Sequence, residues 1–154
     1  MIEVHHLNNS RSQRILWLLE ELETPYKIVN YKRNLDTNLA PEKLKTIHSL
    51  GKSPVIAVDG EVIIESAAIS TYIIDKYAPS GFSPDQNDED YYKYLELMHY
   101  AEGSAMLPLL LLLYSSSLGE NAEPLMARIF SEINLHIGYL SECLGDNAVS
   151  YTHL

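Results

Sequence analysis

A proline at the start of a strand, followed at once by a tight hairpin and a helix, constrains the fold of this chain most. Pro54 directly precedes the apolar run Val55–Val58, and a proline has no N–H to give to a sheet ladder. We therefore expect the first strand of the hairpin to start directly after Pro54, at Val55. Asp59-Gly60 then predicts a two-residue turn into a second strand, Glu61–Ile64.

The residues on either side of this hairpin are suited to hold an extended peptide. The residue before a proline is held extended. Since Pro54 stands at the start of a strand, after Gly51-Lys52-Ser53, we predict a cis Ser53–Pro54 bond, with the backbone N–H and C=O of Ser53 turned outward to pair with an extended peptide. Glu65 offers an acceptor for an ammonium group, while Ser66 and the following helix N-terminus offer donors for a carboxylate. A peptide dock beside such a clamp suits a γ-glutamyl tripeptide. The structural alternative is a tight turn and an ordinary helix start.

Hydrophobic periodicity predicts the order βαβαββα for residues 1–78, a mixed sheet covered by helices in the thioredoxin-like arrangement. The right-handed crossover rule makes the first βαβ unit parallel. The predicted elements are strands at 2–7, 26–31, 55–58 and 61–64, and helices at 11–23, 41–47 and 65–77. On the last helix, we expect Ile69, Tyr72, Ile73 and Tyr77 to form the apolar stripe.

Residues 79–88 have the composition of a linker, with two prolines, a glycine and several Ser, Asp and Asn residues. Two long helices are predicted beyond it, at 89–116 and 121–144, so that residues 89–154 form an all-α domain. The apolar faces of a single helix pair need further partners, and we therefore predict that this domain is incomplete. Residues 149–154 continue no pattern, and we interpret them as foreign sequence.

Charge and cysteine content argue against several functions. Of the 154 residues, 21 are acidic and 11 basic, giving a net charge of −10, and no basic stripe for nucleic acid is visible. The single cysteine, Cys143, permits no disulfide framework, and this favours a reducing cytoplasm. The N-terminus has no signal-peptide pattern. The apolar run at 105–114 is too short for a bilayer, which needs about 20 residues, so no membrane partner is expected.

Three segments of the chain resemble one known family. The run from His5 to Leu22 resembles the first strand, active-site loop and first helix of bacterial and fungal glutathione S-transferases. His-Ser-Leu-Gly-Lys-Ser-Pro at 48–54 and Glu-Ser-Ala-Ala-Ile at 65–69 are similar to the glutathione-binding segments of that family. Residues 89–145 resemble the first two helices of its all-α domain, and the family's last third would follow. Each motif alone is weak, but the order and spacing of the three are fairly specific.

The resemblance implies an enzyme with glutathione as co-substrate and no metal. Such an enzyme stabilises the thiolate of glutathione and adds it to an electrophilic small molecule, in cytoplasmic detoxification. Lys52, Ser53, Pro54, Glu65 and Ser66 are the glutathione-binding residues implied. Full-length members pair as two-fold dimers, so a homodimer is implied for a full-length protein. Two alternatives stay open: a non-catalytic binding or regulatory module with this fold, and an inactive truncated fragment.

Ser10 lies at the junction of the first strand and first helix, where serine-using members of the family donate a hydrogen bond to the glutathione sulfur. A free thiol has a pKa of about 8.5, and only the thiolate attacks. Lowering that pKa by about two units needs roughly 2.7 kcal/mol, which a charge-assisted hydrogen bond and a helix N-terminus can supply. Asn9, Asn8 and Ser12 are alternative donors, and a helix cap is the structural alternative for Ser10.

The histidines and the cysteine do not form a recognisable reactive group. His5 and His6 are adjacent on a strand and point to opposite faces, so we predict that neither binds a ligand. Metal-ligand spacing is missing among the other histidines as well. Without a Cys-x-x-Cys motif, and without a cysteine where some relatives carry a catalytic one, thiol exchange through a mixed disulfide is disfavoured.

Overall fold

The computed structural model describes residues 1–145 and divides the chain into two units, Met1–Ser80 and a second that begins at Gly81. Residues 149–154, which the sequence suggests are foreign, lie outside the described residues. The thioredoxin-like first domain and the helical domain that follows it agree with the predicted fold class.

In residues 1–80, four strands form one mixed sheet in the order β2-β1-β3-β4. The strands are β1 (Ile2–Leu7), β2 (Tyr26–Tyr31), β3 (Val55–Val58) and β4 (Glu61–Ile64), with the bounds predicted from the sequence. β1 is parallel to β2 and antiparallel to β3, and β3 is antiparallel to β4. The parallel pairing of β1 and β2 confirms the crossover prediction.

Two helices pack in this unit, α1 (Ser12–Glu21) and α2 (Ser66–Tyr77). Fully buried aliphatic side chains from the sheet and both helices form the core: Ile2, Val4, Ile15, Leu18, Leu19, Ile56, Ile69 and Ile73. The predicted apolar stripe of α2 was wrong at one end, because Tyr77 is 39% exposed and Ile74 is buried instead. Residues at several neighbouring positions can lie along the apolar face of a helix, and only the packing against the sheet decides which of their side chains is buried.

The predicted helix at 41–47 is a 3₁₀ helix, Glu42–Thr46, preceded by Pro41 in extended conformation. Leu44 is buried in this segment and packs with Leu7 and Tyr31 in a small cluster of its own. A five-residue segment with one buried side chain lacks the length of a regular α-helix, and short 3₁₀ turns are common as connectors.

The second unit contains α3 (Tyr91–Tyr100), one π-helical turn (Ala101–Ala105), α4 (Met106–Ser115) and α5 (Glu123–Leu144). A 3₁₀ segment, Ser116–Ala122, joins α4 to α5, and Gly119 within it has a positive φ of 56°. The two predicted helices are therefore present, the first with a π turn inside it. By length and mean hydropathy alone, one stretch within 91–144 passes the test for a membrane span, a test that core helices of soluble proteins also pass.

A polar network runs through the sheet at His5, which is only 2% exposed. Its Nδ1 lies 2.9 Å from the hydroxyl of Tyr31, and its Nε2 lies 3.5 Å from a carboxylate oxygen of Glu3. Glu3 in turn pairs with Lys27 at 2.7 Å. Burial lowers the pKa of His5 below its usual value, although the Glu3 carboxylate opposes this shift. Burial therefore favours the neutral form of His5 in the folded protein.

This burial predicts that the free energy of unfolding decreases as the pH falls below about 6.5. The unfolded chain takes up a proton at His5 before the folded chain does, so protonation favours unfolding between the unfolded and the lowered folded pKa. One such proton contributes a slope of at most about 1.4 kcal/mol per pH unit. Urea unfolding from pH 7.5 to 5 should show a shallower pH dependence in His5→Asn than in wild type. The exposed His99→Asn is the matched control, and equal slopes in wild type and His5→Asn would contradict the prediction.

Candidate functional site

The loop between β1 and α1 is held in place by one arginine from the chain segment after β2. The guanidinium of Arg33 donates to the carbonyls of Asn8 at 3.0 Å, Asn9 at 2.8 Å and Asn38 at 2.9 Å. Its backbone N–H also donates to the Asn8 side chain at 3.1 Å. The planar guanidinium has several donors at fixed angles. It therefore binds two successive carbonyls of the loop and holds the loop against the segment that follows β2. Asn9 has a positive φ of 51°, a conformation that asparagine tolerates better than most residues.

Ser10, at the end of this loop, lies in a row of hydrogen-bonded side chains. Its Oγ is 2.8 Å from the Oγ of Ser12 and 3.3 Å from the Oγ of Ser53. Ser12 contacts the Nδ1 of His6 at 2.8 Å, and the Ser53 hydroxyl donates to the carbonyl of His5 at 2.9 Å. The fold thus brings the predicted thiol-activating loop into direct contact with the predicted peptide dock.

The four residues considered as donors occupy different environments. Ser10 is half-buried, whereas the Ser12 side chain is completely buried, with 0% exposure, and has no surface to offer a ligand. Asn8 and Asn9 are exposed, and their carbonyls are bound to Arg33. The Ser10 Oγ also accepts the backbone N–H of Ser12 at 3.3 Å, so this residue assists the start of α1 while keeping its own proton.

The segment before β3 has the backbone that the sequence predicts. The Ser53–Pro54 peptide bond is cis, which confirms the prediction. Gly51 has a φ of 58°, and a Cβ at this position would lie 2.7 Å from the Lys45 side chain. The backbone conformation and this close approach both favour glycine at the position. Pro54 is buried, Ser53 is half-buried, and Lys52 is exposed.

Glu65 connects β4 to α2 in an unusual backbone conformation. Its φ is 69° and its ψ is 119°, outside the regions that a residue with a side chain prefers. Such strain costs on the order of 1–3 kcal/mol and is concentrated at ligand sites. The Glu65 side chain is exposed, and Ser66, 5% exposed, opens α2 directly after it. The helix begins one residue later than predicted.

The register of the sheet brings these segments to one edge. His5 pairs with Val55, and Val55 pairs with Ile64. The end of β1, the start of β3 and the end of β4 therefore lie side by side. The loop with Ser10 follows the end of β1, and the Ser53–Pro54 dock precedes the start of β3. The helix start at Glu65–Ser66 follows the end of β4.

Comparisons with known proteins agree with this geometry. Residues 1–75 match the family model described as "Glutathione S-transferase, N-terminal domain". A crystal structure of a glutathione S-transferase from Actinobacillus pleuropneumoniae is 30% identical, with a TM-score of 0.84 over 99% of this chain and 70% of that one. The chain belongs to the glutathione S-transferase family.

Two further members of the glutathione S-transferase family are similar to the chain. Glutathione S-transferase 3 of Schizosaccharomyces pombe is 43% identical over 129 residues, which are 83% of this chain and 52% of that protein. A glutathione transferase from Phanerochaete chrysosporium, solved with oxidized glutathione, shares the fold at 19% identity, with a TM-score of 0.80 over 96% of this chain and 69% of that one. The chain spans about half the length of the curated transferases it matches.

The sequence did not predict two residues that hold the Ser10 loop of this transferase-family site. Arg33 lies in a segment predicted only as loop, and His6 was predicted to be a sheet histidine that binds no ligand. Both act across long stretches of sequence or between different elements, so no local pattern marks them. In the described part of the chain, residues 1–145, no three His, Cys, Asp or Glu side chains group as metal ligands would.

Arg33→Ala is expected to release the loop that carries Ser10. For the transferase reaction that the family resemblance implies, we predict that it lowers kcat/KM by about tenfold, since misplacing a group near the reacting atoms costs rate. Arg33→Lys is the informative companion, because it keeps the charge and loses the planar set of donors. We expect the lysine variant to lose nearly as much. Steady-state kinetics measure the effect, and Lys32→Ala, an exposed neighbour, is the matched control. Full activity in Arg33→Ala would contradict the role given to Arg33.

Proposed function

We propose that this chain binds glutathione at the sheet edge described above, stabilises its thiolate and adds that thiolate to an electrophilic small molecule. The observation that carries the proposal is the contact between the Ser10 hydroxyl and Ser53, 3.3 Å apart, at the edge that also holds the start of α2. The Phanerochaete chrysosporium relative with oxidized glutathione supports the choice of ligand.

Each part of the tripeptide has a partner of suitable chemistry in this proposal. The backbone of Ser53, set by Pro54, pairs with the extended peptide. The Glu65 carboxylate accepts from the ammonium of the γ-glutamyl group. Ser66 and the N-terminus of α2 donate to its α-carboxylate. Lys52 is exposed and charged, and reaches the glycine carboxylate at the other end.

The reaction follows from placing the sulfur beside Ser10. The thiol gives its proton to solvent, and the Ser10 hydroxyl donates a hydrogen bond to the thiolate that remains. The thiolate attacks the electrophilic carbon, and with an aryl halide the halide leaves as the carbon–sulfur bond forms. Because α1 begins at Ser12, its N-terminal dipole further favours negative charge near this point.

We further propose that the full-length protein is a homodimer and that it works in the reducing cytoplasm, in detoxification of electrophiles. The family resemblance, which implies two-fold dimers for full-length members, supports the first point. The single cysteine supports a reducing cytoplasm.

Glutathione binding and turnover are tested separately. The 154-residue chain should be retained on immobilised glutathione and released by free glutathione, and calorimetry should give the dissociation constant. Product absorbance with glutathione and a chromogenic aryl halide then measures transfer. Binding without turnover would favour a non-catalytic module, and failure to bind would overturn the proposal. Oxidised thioredoxin, which offers a similar fold, serves as the negative control on the resin.

A further inference from the structure

We propose that His6 and Ser12 are positioning residues that orient the Ser10 hydroxyl toward the ligand sulfur through a one-way chain of hydrogen bonds. The chain runs from the Nδ1–H of His6 to the Oγ of Ser12, and from the Ser12 O–H to the Oγ of Ser10. The proton of Ser10 is then left for the thiolate. This inference rests on the proposed function, in which Ser10 faces the glutathione sulfur.

The count of protons at the two short contacts limits the possible directions of the hydrogen bonds. The Oγ of Ser12 lies 2.8 Å from the Nδ1 of His6 and 2.8 Å from the Oγ of Ser10. A hydrogen bond of this length needs one proton between the two atoms. A hydroxyl supplies a single proton and a neutral imidazole a single N–H. Ser12 therefore cannot donate to both neighbours.

The opposite direction would disable Ser10 as a donor. If Ser12 donated to His6, the short contact with Ser10 would require the proton of Ser10. If Ser12 instead donated to the carbonyl of Leu7, at the longer distance of 3.4 Å, the proton of Ser10 would again be needed at Ser12. Only donation from His6 Nδ1–H to Ser12, and from Ser12 to Ser10, leaves the proton of Ser10 for another acceptor.

The other neighbours of Ser10 are consistent with this direction. The backbone N–H of Ser12 donates to the Ser10 Oγ at 3.3 Å, which adds a second bond in the same sense. Ser53 donates its own proton to the carbonyl of His5, so it offers Ser10 only an acceptor, and at the longer distance of 3.3 Å. The proton of Ser10 is thus held weakly by Ser53 and can turn to a thiolate, a stronger acceptor.

Burial makes such a chain effective. Ser12 has 0% exposure, so water does not compete for its hydroxyl. Hydrogen bonds in series polarise one another by about 10–30% per bond. The donor strength of Ser10 toward sulfur therefore depends on groups that the ligand never touches.

The tautomer of His6 tests the direction without any ligand. In uniformly ¹⁵N-labelled 154-residue protein at neutral pH, the imidazole nitrogen shifts of His6, assigned by comparison with His6→Asn, report which nitrogen carries hydrogen. We expect a protonated Nδ1. An unprotonated Nδ1 would overturn the proposal, because Ser12 would then donate to His6. This result is independent of whether the protein turns over glutathione.

The titration of bound glutathione tests the consequence for the site. We expect His6→Leu and Ser12→Ala each to raise the pKa of the bound thiol by about 0.5–1 unit with glutathione affinity within about twofold of wild type. His6→Asn places an amide donor where Nδ1 lies, and should keep the wild-type titration. In the Ser10→Ala background, His6→Leu should shift the thiol pKa no further. The thiolate's ultraviolet absorbance against pH measures all of these values, and circular dichroism checks folding.

The outcomes separate this inference from the function on which it rests. A wild-type protein that fails to bind glutathione overturns the proposed function itself. A wild-type protein that lowers the thiol pKa, with unshifted titrations in His6→Leu and Ser12→Ala, overturns only the chain of hydrogen bonds. If Ser12→Ala is poorly folded, His6→Leu against His6→Asn still decides, and equal titrations in those two variants would count against the proposal.

Discussion

Ser10→Ala is expected to raise the pKa of bound glutathione by about 1–2 units while leaving its affinity nearly intact. In the proposed site, the Ser10 hydroxyl interacts with the ionised sulfur. Its loss therefore destabilises the thiolate form far more than it weakens the binding of the tripeptide as a whole. At a pH below both pKa values, the thiolate fraction falls by the same factor, and kcat/KM should decrease by about 10–100-fold. The ultraviolet absorbance of the thiolate against pH measures the shift directly.

Ser10→Thr is the matched control for this prediction, because it keeps the hydroxyl in the same place. It should retain a lowered thiol pKa, and the loss of activity should be confined to the alanine variant. A titration midpoint that does not move in Ser10→Ala would show that another group is the donor. Asn9 would be the next residue to replace, since it precedes Ser10 in the loop that Arg33 holds.

Glu65→Ala and Ser66→Ala are each expected to weaken glutathione binding by about 10–150-fold, which corresponds to roughly 1.5–3 kcal/mol for a hydrogen bond to a charged group. Folding should change much less, because the Glu65 side chain is exposed and Ser66→Ala removes one small hydroxyl. Calorimetry with glutathione measures the affinity, and urea unfolding measures the stability. Unchanged affinity in both variants would eliminate the proposed clamp for the γ-glutamyl group.

Glu65→Gly distinguishes the backbone of this residue from its carboxylate. Glycine adopts a φ of 69° without the steric cost that glutamate has there, so the folded protein should become more stable by up to about 1 kcal/mol. The same variant removes the acceptor and should bind glutathione as weakly as Glu65→Ala. Glu65→Gln separates charge from hydrogen bonding in the same position. A glycine variant that kept wild-type affinity would indicate that only the backbone contributes.

The strands of the first domain were predictable because local rules determine them. Alternating side chains mark β1 and β2, and the Asp59-Gly60 turn separates β3 from β4. Turn chemistry acts between neighbouring residues, so no knowledge of the fold is needed. Where partners from the rest of the chain decide the outcome, prediction was less exact. Ile74 rather than Tyr77 is buried on α2, and the segment around Leu44 is a 3₁₀ helix.

The sequence by itself also indicated the residues that we propose bind glutathione, either through their backbone or from the start of a helix. Ser53, Pro54, Glu65 and Ser66 belong to a proline-led strand, a hairpin and the helix after it, all within one short segment. The conformation of such a segment follows from proline and turn preferences, and the structure has the cis bond that was predicted. The roles of these residues toward glutathione stay predictions until the variants are measured.

Only the tertiary structure decided what surrounds Ser10. Arg33 lies 24 residues beyond the carbonyl of Asn9 that it binds, and Ser10 meets Ser53 across 43 residues. His6 reaches Ser12 from a strand to the first residue of a helix. Such contacts depend on strand order and register, which place distant segments at one sheet edge. A hydrogen bond requires its two atoms within about 3 Å, and sequence patterns fix side-chain faces but not distances of that precision.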